Sequence, residues 1–443
     1  MEAGPLRPAP FRSLLRLCTA GSVDDGKSTL IGRLLYESQA VYEDQVLSVR
    51  AASRHRGVGP IDFSLFTDGL RAEREQGITI DVAYRYFATG RRKFILADTP
   101  GHEQYTRNMA TGASTAELAV VLVDARHGVR EQTRRHARIA ELLGISSFVL
   151  AVNKMDLVGF DQDVFERITS DFSELVSDAT VVHPIPLSAL HGDNIVHPSD
   201  RTPWFDKAPL LEYLENVDVR DGSATRPFRM PVQLVVRPDQ DFRGYAGRIA
   251  SGTIQRGDRV TVWPSGLSTR VTRIVTWDGD LDAALAPMSI TLTLEDDMDI
   301  SRGDIFASGP LQVGRAVEAN VVWMDERPLD PSRVYLLKHA TRTVPAEVNT
   351  SLGLNEIGVV TVTTARPLVF DSYSGNRATG SFLLIDPATN ATAGAGMIVG
   401  AVTERSGLTH PDAAARIALA ARSASTEDAA VAAVRRVLEE ILT

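Results

Sequence analysis

Short apolar runs alternate with amphipathic stretches along the first half of the sequence. Leu14-Leu15-Arg16-Leu17-Cys18 and Phe94-Ile95-Leu96-Ala97 are two such runs, and residues 118–123 and 148–152 form two more. Runs of this length without alternation read as strands buried on both faces, the texture of a parallel sheet. Between them, apolar residues return at helical spacing over residues 136–143 and at Val164, Ile168, Phe172, Leu175 and Val176. Three of the runs stop at a polar residue, Asp98, Asp124 or Asn153, and the carboxyl ends of parallel strands are where such sheets hold ligands. The pattern predicts a doubly wound α/β domain over residues 14–217.

Beyond residue 217 the texture changes. VRDGSATRPFR is a polar linker, and from Met230 onward PVQLVV, GRIASGTI, DRVTVWP, RVTRIVTW and SITLTL are β-branched runs broken by Gly, Asp and Pro. Dense short strands of this kind predict a closed β-barrel over residues 228–310. The same texture at 316–323, 357–364 and 379–385 predicts a second barrel over residues 311–405. Val431, Val434, Val437, Leu438 and Ile441 suggest a terminal amphipathic helix within 406–443, with Ser425 or Thr426 near its cap. Residues 1–13, with three prolines, read as a loose leader. Residues 39–77 are weakly periodic and charged, and a connection this long is usually functional or mobile. Its RAEREQG run, taken alone, reads as a solvated helix face.

Composition narrows the class without naming it. The 443 residues are 44% hydrophobic and 23% charged, ordinary for a soluble protein of several domains. With 47 basic against 56 acidic side chains the net charge is −9, which argues against broad nucleic-acid binding. No apolar stretch has the length of a membrane span. Cys18 is the only cysteine, so no internal disulfide can form, and the expected setting is cytoplasmic. Inside its apolar run, Cys18 reads as core packing rather than a reactive thiol.

Gly21 to Ser28, GSVDDGKS, matches the phosphate-loop pattern G-x-x-x-x-G-K-[ST] between a strand-like run and the helix-like residues 29–36. Gly21 and Gly26 allow the backbone to curl so that its amides face an anion, and the helix start adds partial positive charge. The nucleotide-contacting run is then Gly21, Ser22, Val23, Asp24, Asp25, Gly26, Lys27, Ser28 and Thr29. Lys27 would reach the β- and γ-phosphates, and the Ser28 hydroxyl would ligate Mg²⁺. Asp98-Thr99-Pro100-Gly101-His102 closes a predicted strand; Asp98 there can hold Mg²⁺ through water, and Gly101 can offer its amide to a γ-phosphate. Asn153-Lys154-Met155-Asp156 selects the base. A carboxylate accepts two hydrogen bonds from the N1–H and exocyclic amine of guanine, a donor pair adenine lacks. Asn153 would bond the purine edge and the Lys154 stem cover the ring, while the backbone of Ser188-Ala189-Leu190 would meet the guanine carbonyl. Thr79, ending the long connection, can bring oxygen to Mg²⁺ when a γ-phosphate is present.

Together GSVDDGKSTL, REQGITI, DTPGHEQYTRNM, NKMD and SAL resemble a GTPase of the translation-factor class, in that class's order. GRIASGTIQRGD and NRATGSFLLIDPATNATAGAGMI resemble marks of its two barrel domains, so the likeness covers residues 14–402. The finer wording is closer to one branch. Asp25 stands where tRNA-delivering factors usually carry His, and GDNIVHPSDRTPWFDKAPLLEYLE follows the SAL motif. Both resemble the large, GTP-hydrolysing subunit of bacterial sulfate adenylyltransferase. That resemblance implies a P-loop GTPase domain followed by two β-barrels, with GTP and Mg²⁺ bound. It also implies a smaller catalytic subunit as partner, which forms adenylyl sulfate and pyrophosphate from ATP and sulfate. By the same resemblance His102 positions the attacking water, Val23 and Ile78 screen it, and Asp24 is the residue that, as in some relatives, would help bind a monovalent cation beside the phosphates. No fused adenylyl-sulfate kinase is expected, because the phosphate-loop pattern occurs once. Neither an H-x-G-H pair nor an S-G-G-x-D-S-type loop is visible, which leaves the adenylyl transfer to the partner. Two alternatives stay open on sequence: a translation factor acting on tRNA or ribosomes, and a regulatory GTPase with another target.

Overall fold

A computed structural model describes residues 14–56, 61–67, 81–102, 105–219, 223–239 and 241–402. The predicted leader (1–13) and terminal helix (406–443) lie outside these residues.

Strand β1 (Leu14–Ala20) is the centre of a six-stranded sheet. It pairs in parallel with β3 (Lys93–Asp98) and β4 (Leu118–Asp124). β5 (Ser147–Asn153) and β6 (Val181–Pro186) continue the parallel set, and β2 (Ala83–Ala88) adds an antiparallel edge beside β3. Successive side chains of a strand point to opposite faces, and β1 uses both. Leu15 and Leu17 join Leu30, Leu34, Leu210 and Leu214, from helices α1 (Lys27–Glu37) and α6 (Leu210–Asn216). Cys18 and Ala20 join the opposite core, with Met109, Ala137, Ala140, Ile168 and Phe172 from α3 (Thr106–Ala113), α4 (Glu131–Leu142) and α5 (Gln162–Ser173). Every residue of β4 is buried, as its unbroken apolar run requires.

Two elements depart from the expectation. Within the weakly periodic connection, residues Glu43–Arg56 form α2 and Phe63–Phe66 a short 3-10 turn. Only Val49 and Ser53 of α2 are buried among its described side chains, so too few apolar positions mark its inner face in the sequence. β2 was also hidden, because Tyr84 and Tyr86 face out and only Phe87 is buried.

Both barrels are present. In the first, Arg229–Val236, Gly244–Arg248, Ser289–Leu294, Leu267–Thr276, Arg259–Trp263 and Ile305–Ala307 pair in sequence around a ring that returns to its start. Met230, Val232, Tyr245, Val260, Val262, Ile274, Leu292 and Phe306 fill it. In the second, Gln312–Trp323, Ile357–Phe370, Arg342–Val348, Tyr335–His339, Ser381–Ile385 and Thr392–Ala401 close around Trp323 and Tyr335, packed edge-to-face at 5.7 Å. The indole N–H of Trp323 donates to the Arg327 carbonyl at 2.7 Å, so the buried ring keeps its polar partner.

Candidate functional site

At the carboxyl edge of the sheet, the chain leaves β1 at Ala20 and enters α1 at Lys27. The intervening loop has positive φ at Gly21 (142°), Asp24 (67°) and Gly26 (92°). Gly26 precedes α1 in the left-handed region, and a Cβ there would run into the Asn153 amide. Gly101 is a second close approach: a Cβ would strike the Lys27 ammonium and lie 2.8 Å from the Gly21 carbonyl oxygen.

Lys27 Nζ donates to the carbonyls of Gly21 (2.9 Å) and Ser22 (2.8 Å), arching the loop over its own side chain. Burial lowers its pKa, while Asp25, Asp98 and Asp24 pull it back up. The Asp25 carboxylate accepts the Ser22 N–H at 2.6 Å; burial raises its pKa, with that bond and Lys27 opposing. Ser22 Oγ is buried and has no hydrogen-bond partner among the described residues. An orphaned hydroxyl in a curled glycine loop, with a desolvated ammonium behind it, fits an anion.

Asn153 ends β5 and joins the loops on either side of it. Its Nδ2 donates to the Asp25 carbonyl at 2.7 Å, and its Oδ1 accepts the Ala189 N–H at 2.9 Å. One amide hydrogen and one lone pair remain for a base. Lys154 adopts φ 62°, donates to the Asp24 carbonyl, and lies 3.0 Å from the Asp124 carboxylate. Burial works to raise the Asp124 pKa, but the bonds from Arg126 and Lys154 overcome it and hold the carboxyl well below the usual range. Met155 is fully buried, anchoring the turn that presents Asp156. His191 Nε2 stands 3.7 Å from Asp156 Oδ2. Ser188 and Ala189 are buried and Leu190 is exposed. The Ala189 and Leu190 carbonyls accept Arg33 Nε (2.6 Å) and Nη2 (2.5 Å), which fixes their loop against α1.

The remaining motif ends β3. Asp98 is buried beside Thr19, and Thr99 Oγ1 donates to the Thr19 carbonyl. Pro100 and Gly101 are buried, and His102 is half-buried with its ring 6.1 Å from that of Tyr105. Val23, Ser28 and Thr29 are half-buried on the loop and first turn of α1. Ile78 and Thr79 lie outside the described residues. Thus the fold brings the loop at 21–28, the ends of β3 and β5, and the turn after β6 to one edge. Sequence reasoning did not single out Arg33, Gln132 and His136. They sit on amphipathic helices, and His136 meets Gly21 across 115 residues, so spacing carries no trace of the contact.

Comparison with known proteins adds to this geometry. The profile of the elongation factor Tu GTP binding domain matches residues 12–219, and that of the GTP-eEF1A C-terminal domain-like family matches 349–399. Sulfate adenylyltransferase subunit 1 of Tolumonas auensis is 53% identical, covering 90% of this chain and 89% of its own. The same-named protein of Shewanella oneidensis is 54% identical over 88% of this chain and 86% of its own. The bifunctional enzyme CysN/CysC of Rhodopirellula baltica is 52% identical over 88% of this chain and 64% of that protein.

Proposed function

The chain belongs to the sulfate adenylyltransferase subunit 1 family, and from that membership we propose that it is the GTP-hydrolysing regulatory subunit of sulfate adenylyltransferase. GTP is bound and hydrolysed at the edge of the 14–217 domain, and the barrels at 228–310 and 311–405 bear on a smaller catalytic subunit in the cytoplasm. That partner forms adenylyl sulfate and pyrophosphate from ATP and sulfate, a step of sulfate assimilation. The observation carrying the reading is Asn153. One side chain ties the loop suited to phosphate to the turn suited to a base carbonyl, so a single ligand with both ends satisfies the pocket.

The Gly21 and Ser22 N–H groups are taken by His136 and Asp25, so the backbone from Val23 through the start of α1 would provide the donors for the β- and γ-phosphates. Lys27 exchanges its two carbonyl partners for phosphate oxygens, a stronger pairing for a desolvated ammonium. Gly101 keeps the space beside Lys27 clear for the γ-phosphate. Ser28, Asp98 and Thr79 would hold Mg²⁺; a hydroxyl donor and a single buried carboxylate suit an ion that retains much of its water, and its charge offsets that of the phosphates. His102 orients the attacking water, and Val23 and Ile78 screen it from solvent. Asp156 accepts the guanine N1–H and amine, with Asn153 and the Lys154 stem on the purine and the backbone of Ser188, Ala189 and Leu190 at its carbonyl.

Coupling follows from linkage: if the partner binds the GTP state more tightly, GTP binds the partnered state more tightly by the same factor. Mixing the chain with its small partner, ATP and sulfate should accelerate GTP hydrolysis above the rate of the chain alone. Turnover stimulated instead by ribosomes, and indifferent to ATP and sulfate, refutes the proposal.

A further inference from the structure

One helix touches the phosphate loop at its middle and the second barrel just past its C-terminus. Midway along α4, the His136 imidazole is fully buried and its Nδ1 accepts the Gly21 N–H at 3.1 Å. Its Nε2 lies 2.7 Å from the side-chain amide of Gln132, one turn earlier. An acceptor at Nδ1 places the ring hydrogen on Nε2, and turning the Gln132 amide over, so that its oxygen replaces the nitrogen facing Nε2, lets it accept that hydrogen. Burial, with the nearby charges of Lys27 and Arg135, keeps the ring neutral and preserves that acceptor. The Gly21 residue is therefore held at both ends, its N–H by His136 and its carbonyl by Lys27.

At the C-terminal end, the carbonyl of Leu143, just past α4, accepts the Tyr373 hydroxyl at 2.9 Å. The Gly144 carbonyl accepts the Arg377 guanidinium, which also donates to the Ala116 carbonyl at 3.2 Å. Val322 and Met397 of the second barrel share a core with Ala137, Ile139, Ala140 and Leu143. The Tyr373–Arg377 segment is itself anchored in the first barrel: Asn376 Nδ2 donates to Ser251 Oγ at 2.9 Å, and Asp371 pairs with Arg229 at 3.0 Å. A displacement of the barrels thus reaches α4 through carbonyl bonds and packed side chains, and the Gly21 amide through one imidazole.

We propose that His136 is a positioning residue of the phosphate loop and that α4 is the strut by which the second barrel, through Tyr373 and Arg377, sets the loop's hold on its nucleotide. The proposal rests on the reading of Gly21 to Ser28 as the GTP loop and adds the route by which a partner regulates that site.

Two substitutions separate hydrogen bonding from packing. His136→Asn keeps an acceptor at the Nδ1 position, whereas His136→Gln keeps one only at Nε2. Amide hydrogen exchange of the peptide containing Gly21, measured on the full chain without nucleotide, should rise about tenfold in His136→Gln. It should stay within about threefold of the parent in His136→Asn. Release of fluorescent GDP should follow the same order. Equal effects of Asn and Gln overturn the positioning role. Arg377→Met should speed GDP release about threefold in the parent and add nothing in the His136→Gln background, whereas multiplying effects overturn the strut. Should His136→Gln fail to fold, the Arg377→Met cycle is run against His136→Asn; there the retained bond predicts the full Arg377 effect, and its absence counts against the strut. A parent chain that ignores GDP would refute the GTP reading, yet the nucleotide-free exchange measurement would still decide the role of His136.

Discussion

Asn153 and Asp156 stand three residues apart and do different work. Asn153 is buried and bonded to two loops, so it shapes the pocket; Asp156 is half-buried beside His191, and in the proposed mechanism its carboxylate meets the base. Asp156→Asn replaces two acceptors with an acceptor and a donor. GTP affinity, measured by calorimetry, should fall at least about tenfold, and preference should move toward xanthine nucleotides; unchanged GTP affinity would remove Asp156 from the base. His102 makes no claim on the ground-state ligand in the proposed mechanism. His102→Ala should slow GTP hydrolysis about a hundredfold while leaving the GTP dissociation constant within about twofold. A matching loss of binding would make it structural instead.

At the scale of elements, the sheet was legible because strands buried on both faces stay almost wholly apolar until their ends, Arg16 of β1 being the exception. β1, β3, β4 and β5 each stop at or beside the residue that matters, and α4 and α5 repeat their apolar positions clearly. α2 and β2 were not legible, since each buries too little to leave a period. The motifs were readable because phosphate and base chemistry fixes residue types at short spacing, whereas Arg33 and His136 act over long separations through ordinary helical positions. Two histidines, half-buried His183 and fully buried His136, give these elements a shared acid sensitivity. His183 of β6 stacks on Tyr213 of α6 with centroids 3.8 Å apart, and burial with Lys207 lowers its pKa to about 4; burial lowers that of His136 to about 3. Between those values and the ordinary value of about 6.5 the unfolded chain binds protons that the folded one refuses. Stability therefore rises with pH through that window and is fully present above it. Melting temperature should drop as pH falls from 6.5 toward 4. His183→Phe, which keeps the stack and removes the titration, should reduce that slope between about pH 4 and 6.5 and leave the part below it to His136; an unaltered slope would place the proton uptake elsewhere.

Across the whole molecule, the junction of the two barrels depends on Arg229. Its guanidinium is nearly buried, bonds both oxygens of Asp371 at 3.0 and 3.2 Å, and donates to the Ser308 and Pro310 carbonyls at 2.7 and 2.8 Å. Removing one partner of such a pair leaves a desolvated charge behind. Arg229→Met should reduce unfolding free energy by about 3 kcal/mol, read from the urea midpoint. A loss below about 1 kcal/mol would mean that water replaces the arginine and that the junction is looser than its geometry implies.

Cys18 lies in the middle of β1, with no exposed surface and a thiol that burial pushes up to about 12. An alkylating reagent in excess can therefore find its one target only when the central strand parts from both neighbours. The rate of that modification is a clock for the opening of the very strand that carries the phosphate loop. Saturating GTP at a hundredfold above its dissociation constant should slow the clock by about a hundredfold, turning a buried, inert sulfur into a gauge of occupancy.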